Sequence, residues 1–90
     1  MKDKKIIDEY RKWYNLYLRQ IRENTDTNER KACRVKICYE ELLGMLLLLW
    51  GAKEITEEEY KKLKEELDSE FSTEKQYGFG SYMRAVVFKC

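Results

Sequence analysis

The sequence predicts an all-α protein: a small three-helix bundle with a central hydrophobic helix and a short C-terminal extension. Three observations lead there. The 90 residues hold no proline and four glycines, so little in the chain interrupts a helix. Charged residues make up 39% of the chain and apolar residues 43%, a balance that supports a folded domain. Apolar positions recur at spacings of three and four through three separate segments. A single thin core is all that a chain of this length can build.

The first helix is expected over about 4–23. Ile6, Ile7, Tyr10, Trp13, Tyr14, Tyr17, Leu18 and Ile21 form one stripe of a 3.6-residue period. Asp3 suits the N-cap. The opposite side carries Lys4, Arg11, Lys12, Arg19 and Arg22, which makes the helix apolar on one face and basic on the other.

The stretch ENTDTNER then reads as a turn, because Asn, Asp and Thr side chains compete with the helical backbone for hydrogen bonds. Asp26 or Thr27 is positioned to cap a second helix over about 28–50. Its main stripe is Val35, Cys38, Tyr39, Leu42, Met45, Leu46 and Leu49. On the reverse side, Lys36 and Glu40 are followed by Leu43, Leu47 and Trp50, so the helix begins one-faced and ends apolar nearly all round.

That apolar end is the run LLGMLLLLWG at 42–51. At 1.5 Å per residue it reaches about 15 Å, half of a hydrocarbon core of about 30 Å. Glu40, Glu41, Lys53 and Glu54 bracket it closely, which excludes a membrane-spanning helix there. Either the first and third helices cover it, as the centre of the core, or part of it is left open for a second copy or another protein.

Gly51 is expected to take the left-handed conformation that ends the second helix. Thr56 and Glu59 then stand at the spacing of a capping box, with Ile55 and Tyr60 as the flanking staple. The third helix follows over about 57–71 with Tyr60, Leu63, Leu67 and Phe71 as its stripe. Its acid-rich first turn complements the helix dipole. These helices make up a domain over 1–76.

Residues 77–90 form a distinct aromatic and glycine segment, YGFGSYMRAVVFKC, whose last seven residues suit a short strand and a helical turn equally. The segment departs from the first RNA-recognition signature at Tyr77, where a basic residue belongs, and at Ser81, where an aromatic belongs. It reads instead as an arm whose aromatics pack on the core or on a partner.

Charge is unevenly distributed although the net is +1. Residues 1–38 hold eleven Lys or Arg against six Asp or Glu; residues 39–76 hold five against eleven. Two halves that face each other would partly cancel, whereas a basic face left open would suit an anionic partner. The three cysteines, Cys33, Cys38 and Cys90, make no even framework, and Cys33 and Cys38 lie on different sides of a helix. They are expected to be small, reduced core residues in a cytoplasmic setting.

The chemistry of the chain argues against an enzyme. No histidine is present, which removes the commonest general base and the Ser-His and Cys-His pairings. Glu57, Glu58 and Glu59 serve a helix start rather than acid–base work. No aspartate-rich calcium loop, no zinc ligand set and no glycine-rich phosphate loop is visible, so no metal or cofactor is expected.

What remains is binding. The sequence suggests a small, non-enzymatic interaction module that acts as adaptor, regulator or inhibitor by occupying a partner surface. One concrete form is a phage or mobile-element inhibitor of a host complex. The expected interface comprises Leu43, Leu47, Trp50, Tyr77, Phe79 and Tyr82, with another protein or a second copy of the chain as partner and the balance toward a homodimer. The alternative is a nucleic-acid-associated regulator that uses Arg11, Lys12, Arg19, Arg22, Arg30 and Arg34 against phosphates.

Overall fold

A computed structural model of the chain describes residues 4–78, with the side chains of residues 7–78. Four helices follow in order: α1 (Lys4–Glu23), α2 (Asn28–Gly51), α3 (Glu57–Glu70) and α4 (Thr73–Tyr77). The protein is all-α, and no strand occurs among the described residues. The three expected helices appear within one residue of their expected ends. Asp3, Phe79, Tyr82 and the last seven residues lie outside the described residues.

The central element is α2, which packs against both α1 and α3. Its stripe enters the core as its spacing requires: Val35, Cys38, Leu42, Leu46 and Leu49 are all buried. Tyr10, Tyr14, Leu18 and Ile21 meet them from α1, and Leu67 from α3, with Phe71 just after it. Phe71 also crosses to α1, its ring edge-on to Tyr14 with centroids 5.1 Å apart. Fully burying each such side chain contributes about 1.5–3 kcal/mol, so this cluster outweighs any single polar contact in the fold.

Thr27 is the N-cap of α2, its hydroxyl accepting from the Arg30 amide at 3.3 Å. The capping box of α3 forms in both directions: the Glu59 amide donates to the Thr56 hydroxyl at 3.1 Å, and the Thr56 amide donates to the Glu59 carboxylate at 3.0 Å. Ile55 is buried and Tyr60 packs against the same cluster.

Two expectations need correction. The left-handed residue after α2 is Lys53, at φ 61°, rather than Gly51, which remains helical. The Glu54 amide reaches back to the Leu49 carbonyl and the Lys53 amide to that of Trp50, at 2.9 and 3.0 Å. That pairing is a Schellman motif, and the later reversal at Lys53 lets Ile55 swing into the core.

The second concerns Cys33. It is disulfide-bonded, whereas Cys38 is a free, buried thiol as expected. A disulfide at Cys33 is at odds with an expectation of three reduced cysteines.

Helix α4 had no counterpart in the sequence reading. Ser72 caps it by accepting from the Lys75 amide at 3.1 Å. Gly78 closes it in the left-handed region at φ 71°, donating to the Glu74 carbonyl at 2.8 Å. Only five residues long, α4 is held by tertiary contacts more than by its own propensity.

Candidate protein interface

The LLGMLLLLWG run divides three ways. Leu42, Leu46 and Leu49 are in the core, and Leu43 and Met45 pack at its margin. Trp50 lies on the Tyr60 ring, centroids 4.5 Å apart and planes 16° apart, yet 39% of it stays exposed. Leu47 and Leu48 face outward, 46% and 76% exposed.

The residues expected to form one interface do not come together. Leu43, Leu47 and Trp50 lie on the α3-facing side of α2, toward its C-terminal end. Tyr77 sits at the other end of the molecule, where its hydroxyl donates to the Ile21 carbonyl at 2.7 Å and the Lys31 ammonium lies 5.2 Å from its ring centre. Lys31 and Trp50 are 19 residues apart on α2, or about 28 Å. Tyr77 therefore belongs to the fold rather than to a free arm. Phe79 and Tyr82 are beyond the described residues.

Nor do the six expected anion contacts form one open basic face. Arg11 is ion-paired with Glu66 and Arg22 with Glu70, both pairs bridging α1 to α3. Hydrogen bonding to Glu66 raises the already high pKa of Arg11 further. Arg19 pairs with Glu23 and Arg30 with Asp26, each within a turn or so along the chain. Lys12 and Arg34 are exposed. The charge asymmetry is thus partly cancelled where α1 meets α3, and such exposed pairs contribute little to stability.

A different apolar surface emerges where α1 lies beside α2. Trp13 and Leu16 on α1, and Ile37 and Leu48 on α2, are all exposed. Three contacts place them on one side of the molecule. Glu9 lines a shallow groove of about 330 Å³ together with Met45, Leu48, Leu49, Ala52 and Glu54. Tyr17 donates its hydroxyl to Glu41 midway along the helices. Gln20 shares a second depression with Arg34 and Ile37 at the far end. The bond to Glu41 and the loss of solvent hold the Tyr17 hydroxyl up to about 12, so it stays a neutral donor.

The sequence carried one usable signal for this surface: Ile37, Glu41, Gly44 and Leu48 at spacings of four, three and four. Leu48 belonged to neither recognised stripe of α2, and Trp13 reads as core from its spacing alone.

Among the described residues no cluster of three or more Asp, Glu or Cys is arranged to hold a metal. No described helix is long and apolar enough to cross a membrane. The Cys38 thiol, pushed up to about 11 by burial, is poorly suited to be a nucleophile at neutral pH. Comparison with protein-family models, curated proteins and solved structures found no match for this chain.

Proposed function

We propose that the protein is a non-enzymatic interaction module that works by occupying another protein surface through the side formed by α1 and α2. The observation that carries this is Leu48, 76% exposed at the rim of an apolar groove and sharing its side with Ile37, Trp13 and Leu16. Single exposed apolar residues are ordinary, but several large ones grouped around an apolar depression are characteristic of binding surfaces. Tryptophan is among the strongest anchors in such surfaces. An adaptor, a regulator and an inhibitor would all act through this one property.

The nucleic-acid reading has less behind it. Two of its six cations are committed to Glu66 and Glu70, and acidic α3 lies beside them.

Leu48→Glu tests the proposal, because the side chain is open to water and the fold does not depend on it. With an associating partner in hand, whether a second copy or a purified protein, calorimetry should show at least a tenfold loss of affinity while circular dichroism stays unchanged. Lys61→Glu, on the outer side of α3, is the control and should change nothing. Equal affinities for all three chains would rule the surface out.

A further inference from the structure

We propose that the occupant of the α1–α2 side is a second copy of this chain, bound antiparallel about a two-fold axis near Gly44. This rests on the interaction reading above and names its partner. Three independent features of the surface are self-complementary in that one arrangement.

The first is relief. A Cβ built on Gly44 meets nothing within 4 Å, nor does one on Gly51, so both glycines face open space. With Gly44 on the axis, two copies of α2 can approach backbone to backbone, which glycine alone permits without a side chain between them. Position 37 of one copy then falls opposite position 51 of the other. Ile37, an exposed knob, is delivered to the apolar groove of Met45, Leu48, Leu49 and Ala52, and the operation repeats in the other direction.

Charge is the second. The same symmetry carries Arg34, one turn before Ile37, to the end of α2 in the other copy, where Glu54 stands on the rim of the groove. Glu54 and Glu9 are the acidic rim of the groove that Ile37 enters, and Arg34 lines the depression beside Ile37. Each end of the interface therefore pairs a basic residue with an acidic rim across the two-fold. Glu41, the acid nearest the centre, is turned onto the Tyr17 hydroxyl of its own chain.

Extent is the third. The 20 residues of α1 span about 30 Å, and two adjacent helices are about 20 Å across. Their shared side offers on the order of 600 Å² in projection, close to the roughly 800 Å² per partner of a standard interface.

Sedimentation and light scattering of the whole chain from 5 to 200 micromolar test this. The expected result is a reversible rise from 11.0 kDa toward twice that mass, tighter at low salt. Gly44→Gln should hold the chain at monomer mass while leaving its thermal stability equal or higher, since glutamine favours a helix and meets no neighbour. Loss of assembly with a higher melting point cannot be a folding failure. Arg34→Glu should weaken the dimer at least tenfold, and adding Glu54→Arg in the same chain should restore it. Arg34 lies about 25 Å from the end of α2, where Glu54 folds back onto the Leu49 carbonyl, so rescue has to act between copies.

A chain that stays at 11.0 kDa at 200 micromolar overturns the proposal. So does a dimer indifferent to Gly44→Gln and to the charge swap. A monomer that loses a different purified partner on Leu48→Glu would sink the self-association while leaving the interaction module standing. Indifference to Leu48→Glu in every association would sink both.

Discussion

The Tyr77 hydroxyl donates to the Ile21 carbonyl at 2.7 Å, tying the end of α4 to the last turn of α1 across 56 residues of sequence. The Ile21 carbonyl already accepts from the Asn24 amide at 3.3 Å, so the tyrosine hydroxyl fills its second lone pair. Replacing Tyr77 with Phe keeps the ring packed and removes only the hydroxyl. Chemical denaturation should show a loss of about 1 kcal/mol. An unchanged midpoint would mean that water serves the Ile21 carbonyl equally well.

Lys53 occupies a left-handed position where glycine is the usual residue. Its Cβ crowds the following carbonyl there, at a cost of about 1–2 kcal/mol. Lys53→Gly should therefore stabilise the protein by up to about 1 kcal/mol, part of the gain being offset by the greater freedom of glycine in the unfolded chain. A destabilised variant would show that the lysine side chain makes a compensating contact.

Thr56→Ala removes the hydroxyl that accepts from the Glu59 amide. The expected cost is about 1 kcal/mol, and Glu59→Ala should cost less because the longer glutamate side chain gives up more rotamer freedom to make its half of the box. Combining the two should cost less than the sum of the single changes, as both break one reciprocal pair. Strict additivity in urea titrations would show that the two bonds are independent.

Alkaline pH should unfold the protein for an identifiable reason. Burial pushes the Tyr10 hydroxyl up to about 12 and the Cys38 thiol up to about 11, against ordinary values of 10.0 and 9.0. The fold favours both neutral forms, so their contribution is complete below about pH 9 and is lost as pH rises through 11 to 12. Tyr10→Phe removes one of these ionisations and should flatten the decline. It also deletes a buried hydroxyl that has no hydrogen-bond partner among the described residues, so at pH 7 the variant should be neutral or slightly more stable. A urea midpoint constant to pH 12 in the parent chain would refute the assignment.

Much of this architecture is local and was therefore legible. The periodicity of Tyr10, Tyr14, Leu18 and Ile21 identifies α1 and its buried side, and Thr27, Thr56 and Glu59 mark where α2 and α3 begin, because a cap acts within four residues. Helix α4 escaped notice: at five residues it has too little periodicity to detect, and Tyr77 is anchored to a carbonyl far away in sequence. The left-handed residue was misplaced for a related reason. Gly51 and Lys53 both lie near the end of α2, and burial of Ile55 decided between them.

By itself, then, the sequence determined the helix count of its periodic part, the N-capping and the unusual apolar density at the end of α2. Only the tertiary structure decided which side stays open. The positions of α1, α3 and α4 around α2 select it. Trp50 finds Tyr60, while Leu48, two residues earlier and on another side, stays 76% exposed and shares its side with Ile37 and Trp13. Neighbouring residues on a helix diverge by about 100°, so where a packed neighbour sits decides between core and interface, and no count of leucines along the chain contains that position.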